Sequence, residues 1–376
     1  MAGIYIHIPF CRQACHYCNF HFAASLKHKD EMVQAIIKEI ELTPYFNHNQ
    51  RTIINTVYFG GGTPSILSIA DLKMIFDALH KKFSIADTAE VTLEANPDDI
   101  SITTLRDWRL LGINRLSVGI QSFDDIELQW MHRVHNAAAS VKCIDEIRQA
   151  GFTNFSVDLI YGSPLLTSAG WKKNVDIVIE KQIPHISCYA LTVEPKTPLQ
   201  KLINLHKKEN VDAEKQAEQF LLLMKWMKSA GYSHYEISNF ALPGLQSRHN
   251  SSYWSREHYY GFGPSAHSYD GKCRRWNIAN NNIYMQKLNQ NSIPYEEEIL
   301  TPTQQLNEYI MTSLRTAEGL HLDYVSSNFG ADKVATINNE AAKEIKEGKL
   351  NSFENKLVLT EEGKLFADGI AASLFF

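Results

Sequence analysis

The sequence predicts an α/β protein: a partial (β/α)6 barrel of parallel strands over about residues 1–292, then a small helical, winged-helix-like domain over 293–376. Three observations predict it. Short β-branched apolar runs alternate with longer amphipathic stretches from the N-terminus onward, the pattern of repeated βα units. Six such units follow one another, which suits an incomplete barrel better than a doubly wound sheet. Beyond them the pattern turns loop-rich and then helical.

The strands fall at residues 3–8, 56–59, 90–94, 115–120, 155–160 and 185–191, each rich in Val, Ile, Leu, Phe or Tyr. Between them, apolar residues recur at helical spacing over 30–42, 69–83, 102–111, 139–150 and 171–180, and a further helix is expected over 213–230. After about Tyr235 the rhythm fades into PGLQSRHNSSYWSREHYYGFGPSAHSYDG, read as loop-rich yet too aromatic for a disordered linker. Helical patterns return at 303–316, 322–329 and 335–347, followed by a strand-like 356–360 and a last helix from Glu361. That order is what suggests the winged-helix-like appendage.

Composition narrows the class. With 44% hydrophobic and 21% charged residues, the chain of 376 reads as an ordinary soluble globular protein. A net charge of -5 gives no global attraction to nucleic acid. No secretory signal pattern opens the chain, and no stretch approaches the roughly 20 apolar residues of a membrane span. Six cysteines, three of them in one motif, do not form a disulfide framework, so a cytoplasmic location is expected. Cys143, Cys188 and Cys273 stand alone and read as small buried hydrophobes.

The chemistry concentrates at the predicted C-terminal ends of the strands, where parallel barrels build their sites. Cys11, Cys15 and Cys18 form a CxxxCxxC triplet just after the first strand. Three thiolates leave a coordination position open, as an iron–sulfur cube held by three cysteines would. Zinc would need a fourth ligand from His7, His16 or His21. The run Gly60-Gly61-Gly62-Thr63-Pro64 follows the second strand and lets backbone amides approach a polar ligand, but it lacks the lysine of a phosphate loop. Glu94, Gln121 and Asp158 end other strands, where buried carboxylates pair with amines or hydroxyls. His249, in His249-Asn250-x-x-Tyr253-Trp254, is a candidate iron ligand among aromatics, with Arg248, Arg274 or Arg275 able to meet propionates.

Taken in order, YIHIPFC with CNF, then GGGTPS, LEANP, GIQSF and DLIYGSP, the motifs resemble the radical S-adenosylmethionine enzymes of the coproporphyrinogen oxidase type over most of the chain. The resemblance implies that Cys11, Cys15 and Cys18 hold a [4Fe-4S] cluster whose open iron takes the amine and carboxylate of S-adenosylmethionine. It also implies that Tyr5 and Tyr17 pack by cluster and cofactor, that Gly61, Gly62 and Thr63 hold the methionine moiety, and that Glu94 contacts its polar groups. Gln121, Arg133 and Asp158 match positions around the ribose and carboxylate, and Ala190 matches a backbone contact near the adenine.

Within that family, oxidases carry a further cysteine where Phe20 stands here. The CxxxCxxCxF form together with HNxxYW is similar to the haem-chaperone branch. This similarity implies haem binding through His249 and delivery to respiratory haemoproteins, rather than oxidase activity. A peripheral membrane contact would fit such delivery, though no strongly basic amphipathic helix marks one. Two rivals stand beside this reading: oxygen-independent coproporphyrinogen III oxidation, with radical decarboxylation of propionates to vinyl groups, and a zinc or redox-thiol module.

Overall fold

The computed structural model describes residues 2–46 and 52–376. Six parallel strands, β1 (Ala2–Ile8), β2 (Ile53–Gly61), β3 (Ser84–Ala95), β4 (Arg115–Gln121), β5 (Phe155–Tyr161) and β6 (His185–Ala190), lie side by side in chain order. Helices α1 (Lys29–Leu42), α2 (Ile69–Lys82), α3 (Ile102–Leu110), α4 (Asp125–Trp130), α5 (Ala137–Gln149) and α6 (Ser168–Glu180) connect them. Ser68 and Ser101 close capping boxes on α2 and α3, and Asp124, Asn136 and Thr167 cap the next three helices. These are the residue types that satisfy the free amides of a first helical turn.

Alternation along the strands separates two environments. Ile4, Ile6, Val57, Phe59, Leu93, Val118, Val157 and Ile186 are buried in the main apolar core with residues of the surrounding helices. The opposite face carries Tyr5, Thr56, Tyr58, Glu90, Glu94, Arg115, Ser117, Ser156, Asp158 and His185, so the barrel interior is polar. Ordinary (β/α) barrels fill that space with branched aliphatic side chains. A polar filling costs stability unless its groups are paired, and it therefore marks where a ligand or an internal network must sit.

After β6 come α7 (Pro198–Asn204), α8 (Ala213–Ser229), β7 (Ser233–Glu236) and β8 (Asn239–Ala241). The segment expected to be loop-rich is ordered: α9 (Arg248–Trp254), β9 (His258–Phe262), β10 (His267–Tyr269), β11 (Cys273–Asn277) and α10 (Asn281–Asn289) occupy it, with β12 (Tyr295–Ile299) following. β9 pairs parallel with β1, and β10 to β12 extend that edge antiparallel. β8 and β7 extend the other edge beyond β6. The result is one 12-stranded sheet running β12 to β7 that curls without closing. The expected boundary at 292 falls inside this sheet, because β12 belongs to it. Buried Glu39 of α1 ties the added strands down, accepting from Gly263 N–H, Asn277 Nδ2 and the Tyr284 hydroxyl.

The C-terminal unit comprises α11 (Pro302–Leu314), β13 (Leu320–His321), α12 (Leu322–Phe329), α13 (Ala331–Lys346), β14 (Leu350–Phe353), β15 (Lys356–Leu359) and α14 (Ala367–Ser373). Three short antiparallel strands replace the single one expected, and the last helix starts after a 3₁₀ turn rather than at Glu361. Leu306, Ile310, Leu314, Val325, Ile337, Leu357 and Ile370 form its own core. α11 spans the gap in the barrel: Glu308 pairs with Arg274 of β11, while residues 315–317 hydrogen-bond β7 on the other edge. Cys143 and Cys188 are buried and Cys273 is half-buried. Among the described residues no helix is long and apolar enough to cross a membrane.

Candidate functional site

The loop after β1 folds back on itself through Cys11 N–H to Ala23 O and Ala23 N–H to Pro9 O, at 3.1 and 2.9 Å. It leans on the glycine run so closely that a Cβ at Gly62 would sit 2.4 Å from the Phe10 carbonyl oxygen. Gly62 N–H and Thr63 N–H donate to Ile8 O and Phe10 O, and Gly61 N–H donates to Glu94 Oε2. The amides expected to meet a ligand are therefore committed within the protein. What the run can offer a ligand is carbonyl oxygen, which suits an ammonium group rather than an anion.

A cavity of about 380 Å³ opens at this end of the barrel. Cys11, Cys15 and Cys18 line it, with Tyr17, Gly61, Gly62, Thr63, Glu94, Gln121, Arg133, Asp158 and Ala190. Twelve residues named from the sequence thus meet in one place. The three thiols are free, and burial pushes Cys11 up to about 11 and raises Cys18. Thr63 Oγ1 lies 3.4 Å and Arg133 Nη1 3.3 Å from the sulfurs of Cys11 and Cys15 respectively. Donors and a guanidinium facing sulfur favour the thiolate that a metal requires.

Arg133 is a brace as well as a charge. Its Nη2 donates to Asn96 Oδ1 at 2.8 Å and Gly119 O at 2.7 Å, leaving Nε buried and without a partner among the described residues. Glu94 accepts from the Tyr58 hydroxyl at 2.7 Å, and Ser117 Oγ lies 3.5 Å from Asp158. Burial, then the like charge of Asp158, pushes Glu94 up to about 8; burial likewise lifts Asp158 to about 6. Neither carboxyl forms an ion pair among the described residues, so both are poised to take a cationic or hydroxyl-bearing ligand. Asn96 of the LEANP motif supports Arg133, and Tyr58, which the motif reading did not single out, supports Glu94. The alternation of Thr56, Tyr58 and Gly60 toward the interior is the sequence signal for Tyr58.

Two of the expected residues are not in the cavity. Tyr5 lies a layer below it, its hydroxyl 3.2 Å from His7 Nδ1 and its ring stacked on Tyr58. His249 sits at the opposite end of the barrel, 1% exposed, with Nδ1 2.8 Å from Thr56 Oγ1 and Nε2 3.0 Å from the Tyr253 hydroxyl. Its ring stacks on Tyr58 at 4.9 Å, and burial lowers its pKa to about 3. Glu90 anchors this helix end by accepting the N–H groups of Arg248 and His249. Both imidazole nitrogens are engaged, so iron ligation there requires α9 to give up a hydrogen bond and expose the ring. The arginines expected to meet propionates are also occupied: Arg248 on Thr88 O, Arg274 on Glu308 and Arg275 on Glu297.

The histidines that zinc would need are turned elsewhere. His7 Nε2 meets His21 O, His21 Nε2 meets Asn281, and His16 Nδ1 faces Trp130 O and Lys208. Among the described residues no three ligand side chains converge on one ion. A cube of several irons spreads its cysteines more widely than one tetrahedral ion does, and three free thiols around one cavity fit that donor set.

The comparisons agree with this geometry. Residues 5–178 match the Radical SAM superfamily and residues 300–366 the HemN C-terminal domain. The chain is 32% identical over 373 residues to the Heme chaperone HemW of Bacillus subtilis (strain 168), covering 98% of each. It is 36% identical over 327 residues to the Heme chaperone HemW of Synechocystis sp., covering 84% of this chain and 78% of that one. Its fold matches the coproporphyrinogen III oxidase HemN of Escherichia coli with a TM-score of 0.86 at 22% identity, over 100% of this chain and 90% of the other. With polar barrel, cysteine loop and C-terminal unit all in place, the chain belongs to the radical SAM superfamily, in its HemW-type haem-chaperone branch.

Proposed function

We propose that this protein binds haem and passes it to haemoproteins of the respiratory chain, and that it carries a [4Fe-4S] cluster and S-adenosylmethionine at the barrel mouth. The observation that supports the cofactor part is the cavity that gathers three free thiols and two carboxyls with no ion pair among the described residues. The support for the haem part is similarity along nearly the whole chain to proteins named haem chaperones.

When bound, the cluster would supply one-electron chemistry and an open iron for the methionyl end of the cofactor. The chain's own residues do the rest. Cys11, Cys15 and Cys18 would hold three irons, with Arg133 balancing charge at Cys15. The carbonyls of the glycine run and the Glu94 carboxylate would receive the ammonium group. Asp158 and Gln121 would accept and donate at the ribose hydroxyls, and the Ala190 backbone would border the adenine. Binding of a cation at Glu94 would draw the proton off that carboxyl, so uptake releases a proton below about pH 8.

Anaerobic reconstitution followed by iron and sulfide analysis tests the cofactor assignment: about four of each per chain supports it, and zinc without sulfide overturns it. Haem titration, then transfer to a haem-free acceptor, tests the chaperone reading. Multiple turnovers of coproporphyrinogen III to vinyl products would overturn it in favour of the oxidase. Repeating the titration with His249→Ala asks whether α9 opens to supply a ligand; an unchanged spectrum removes His249 from the haem site.

A further inference from the structure

A second histidine has the properties that buried His249 lacks. His132 follows α4 at the rim of the mouth and is exposed. Its backbone is held at φ 63°, a left-handed conformation that side chains other than glycine adopt at a cost. Beside the turn that ends α4, contacts from the cysteine loop hold it. Gln13 Nε2 donates to His132 O at 2.8 Å, His16 N–H donates to Met131 O at 3.3 Å, and the adjoining Arg133 reaches Cys15 Sγ.

The hydrogen bonding fixes the tautomer. His132 Nδ1 lies 3.0 Å from the Ala14 carbonyl oxygen, which can only accept, so Nδ1 carries the proton and the lone pair is on Nε2. Nε2 has no partner among the described residues. An imidazole whose Nδ1–H is tied to a backbone carbonyl while Nε2 faces outward is the arrangement protein metal ligands adopt. The His16 ring stacks on it at 4.5 Å and 3°. In His16, Nδ1 has both the Lys208 ammonium at 2.8 Å and the Trp130 carbonyl oxygen at 3.3 Å against it, so that nitrogen is enclosed by the protein. His132 thus presents its Nε2 lone pair outward, with no donor covering it among the described residues.

The neighbourhood suits a flat apolar ligand with acidic edges. Phe20, on the same cysteine loop and lining the cavity, is 65% exposed, and Val134 beside Arg133 is 57% exposed. Lys208 Nζ sits 4.2 Å over the Trp130 ring at the same rim. Resting on the haem-chaperone reading above, we propose that His132 is an axial ligand to haem iron at the mouth rim. Phe20 and Val134 then offer apolar contact to the porphyrin and Lys208 a cation to a propionate. Haem would thus be held outside the cofactor cavity, where an acceptor protein can reach it.

The test is titration of the reconstituted protein with ferric haem, followed by absorbance and electron paramagnetic resonance, in wild type, His132→Gly and His249→Ala. Glycine relieves the left-handed strain at position 132, so this variant keeps its fold; unchanged cluster absorbance and S-adenosylmethionine binding verify that. The expected result is a shifted Soret band and binding weaker by at least about tenfold in His132→Gly, the lower bound set by loss of a mere outer-shell partner. Free imidazole should restore the wild-type spectrum. Metal-free protoporphyrin IX, which has no iron to ligate, should bind wild type and variant alike. Wild-type affinity and spectrum in His132→Gly overturn this inference alone. Failure of the wild type to take haem overturns the chaperone reading, and this inference with it.

Discussion

Glu90 and Glu94 stand four residues apart on the same inward face of β3, yet they live at opposite ends of the barrel in opposite states. Glu90 accepts the N–H groups of Arg248 and His249 at the start of α9 and lies 3.9 Å from Arg115. Glu94 has a phenol and one amide for company and, among the described residues, no cation, and it opens onto the cavity. The same contrast holds for histidine: His249 in the floor has both nitrogens bonded, whereas His132 on the rim has one free. A polar interior face becomes structure where a later segment plugs it, and becomes a binding site where nothing does. α9 is that plug, and α11 packs behind it from the C-terminal unit, with Arg315 over the Trp254 ring.

The sharpest break between the two ends is expected from Cys15→Ser. Iron, sulfide and the cluster absorbance should fall to background while the circular dichroism of the apoprotein stays unchanged, because nothing in the floor depends on that sulfur. Retention of a full cluster would remove Cys15 from the ligand set.

His249→Ala should act the other way, leaving cluster content intact but destabilising the fold by about 3 kcal/mol, through a lost ring and stranded partners at Thr56 and Tyr253. It should also change the acid limb. His249 is held at about 3 when folded, below its value of 6.5, so its contribution is full above pH 6.5 and is lost as pH falls toward 3. Thermal melts from pH 4 to 7 should be flatter in the variant than in wild type; equal slopes would mean that His249 is not held neutral by the fold.

Glu94→Gln should weaken S-adenosylmethionine binding by about 10- to 100-fold, the range of a lost charged hydrogen bond. Its linkage has the opposite sign to that of His249. A carboxyl raised from 4.5 to about 8 contributes stability that is full below pH 4.5 and lost as pH rises through 8. Between pH 5 and 8 the apo variant should therefore lose less stability than wild type; calorimetry across that range decides. The smallest effect is expected from Tyr58→Phe, which removes one hydrogen bond to Glu94, keeps the stack on His249 and should cost about 1 kcal/mol.

Much of this was legible along the chain. The six barrel strands were visible as short β-branched apolar runs, and most cavity residues because they lie at or just beyond the C-terminal ends of those strands, whereas Tyr17, Arg133 and Ala190 came only with the family resemblance. β7 to β12 were not. They are only three to five residues long, and β9 pairs with a strand some 250 residues earlier. No window of sequence contains that partner.

The chain also spelled out which side chains face inward and which thiols lie close together, since both follow from spacing along a few residues. It could not say which end of the barrel a distant helix would cover. The amides of Gly61, Gly62 and Thr63 were expected to greet a ligand, but packing against Phe10 and Glu94 claimed them. His249 was expected to ligate haem, yet it fills the floor, because Glu90 draws the N-terminus of α9 there and Thr56 and Tyr253 hold the ring. Spacing reports chemistry within reach of a few bonds, whereas burial and access are set by which remote surfaces meet, and only the folded chain brings those surfaces together.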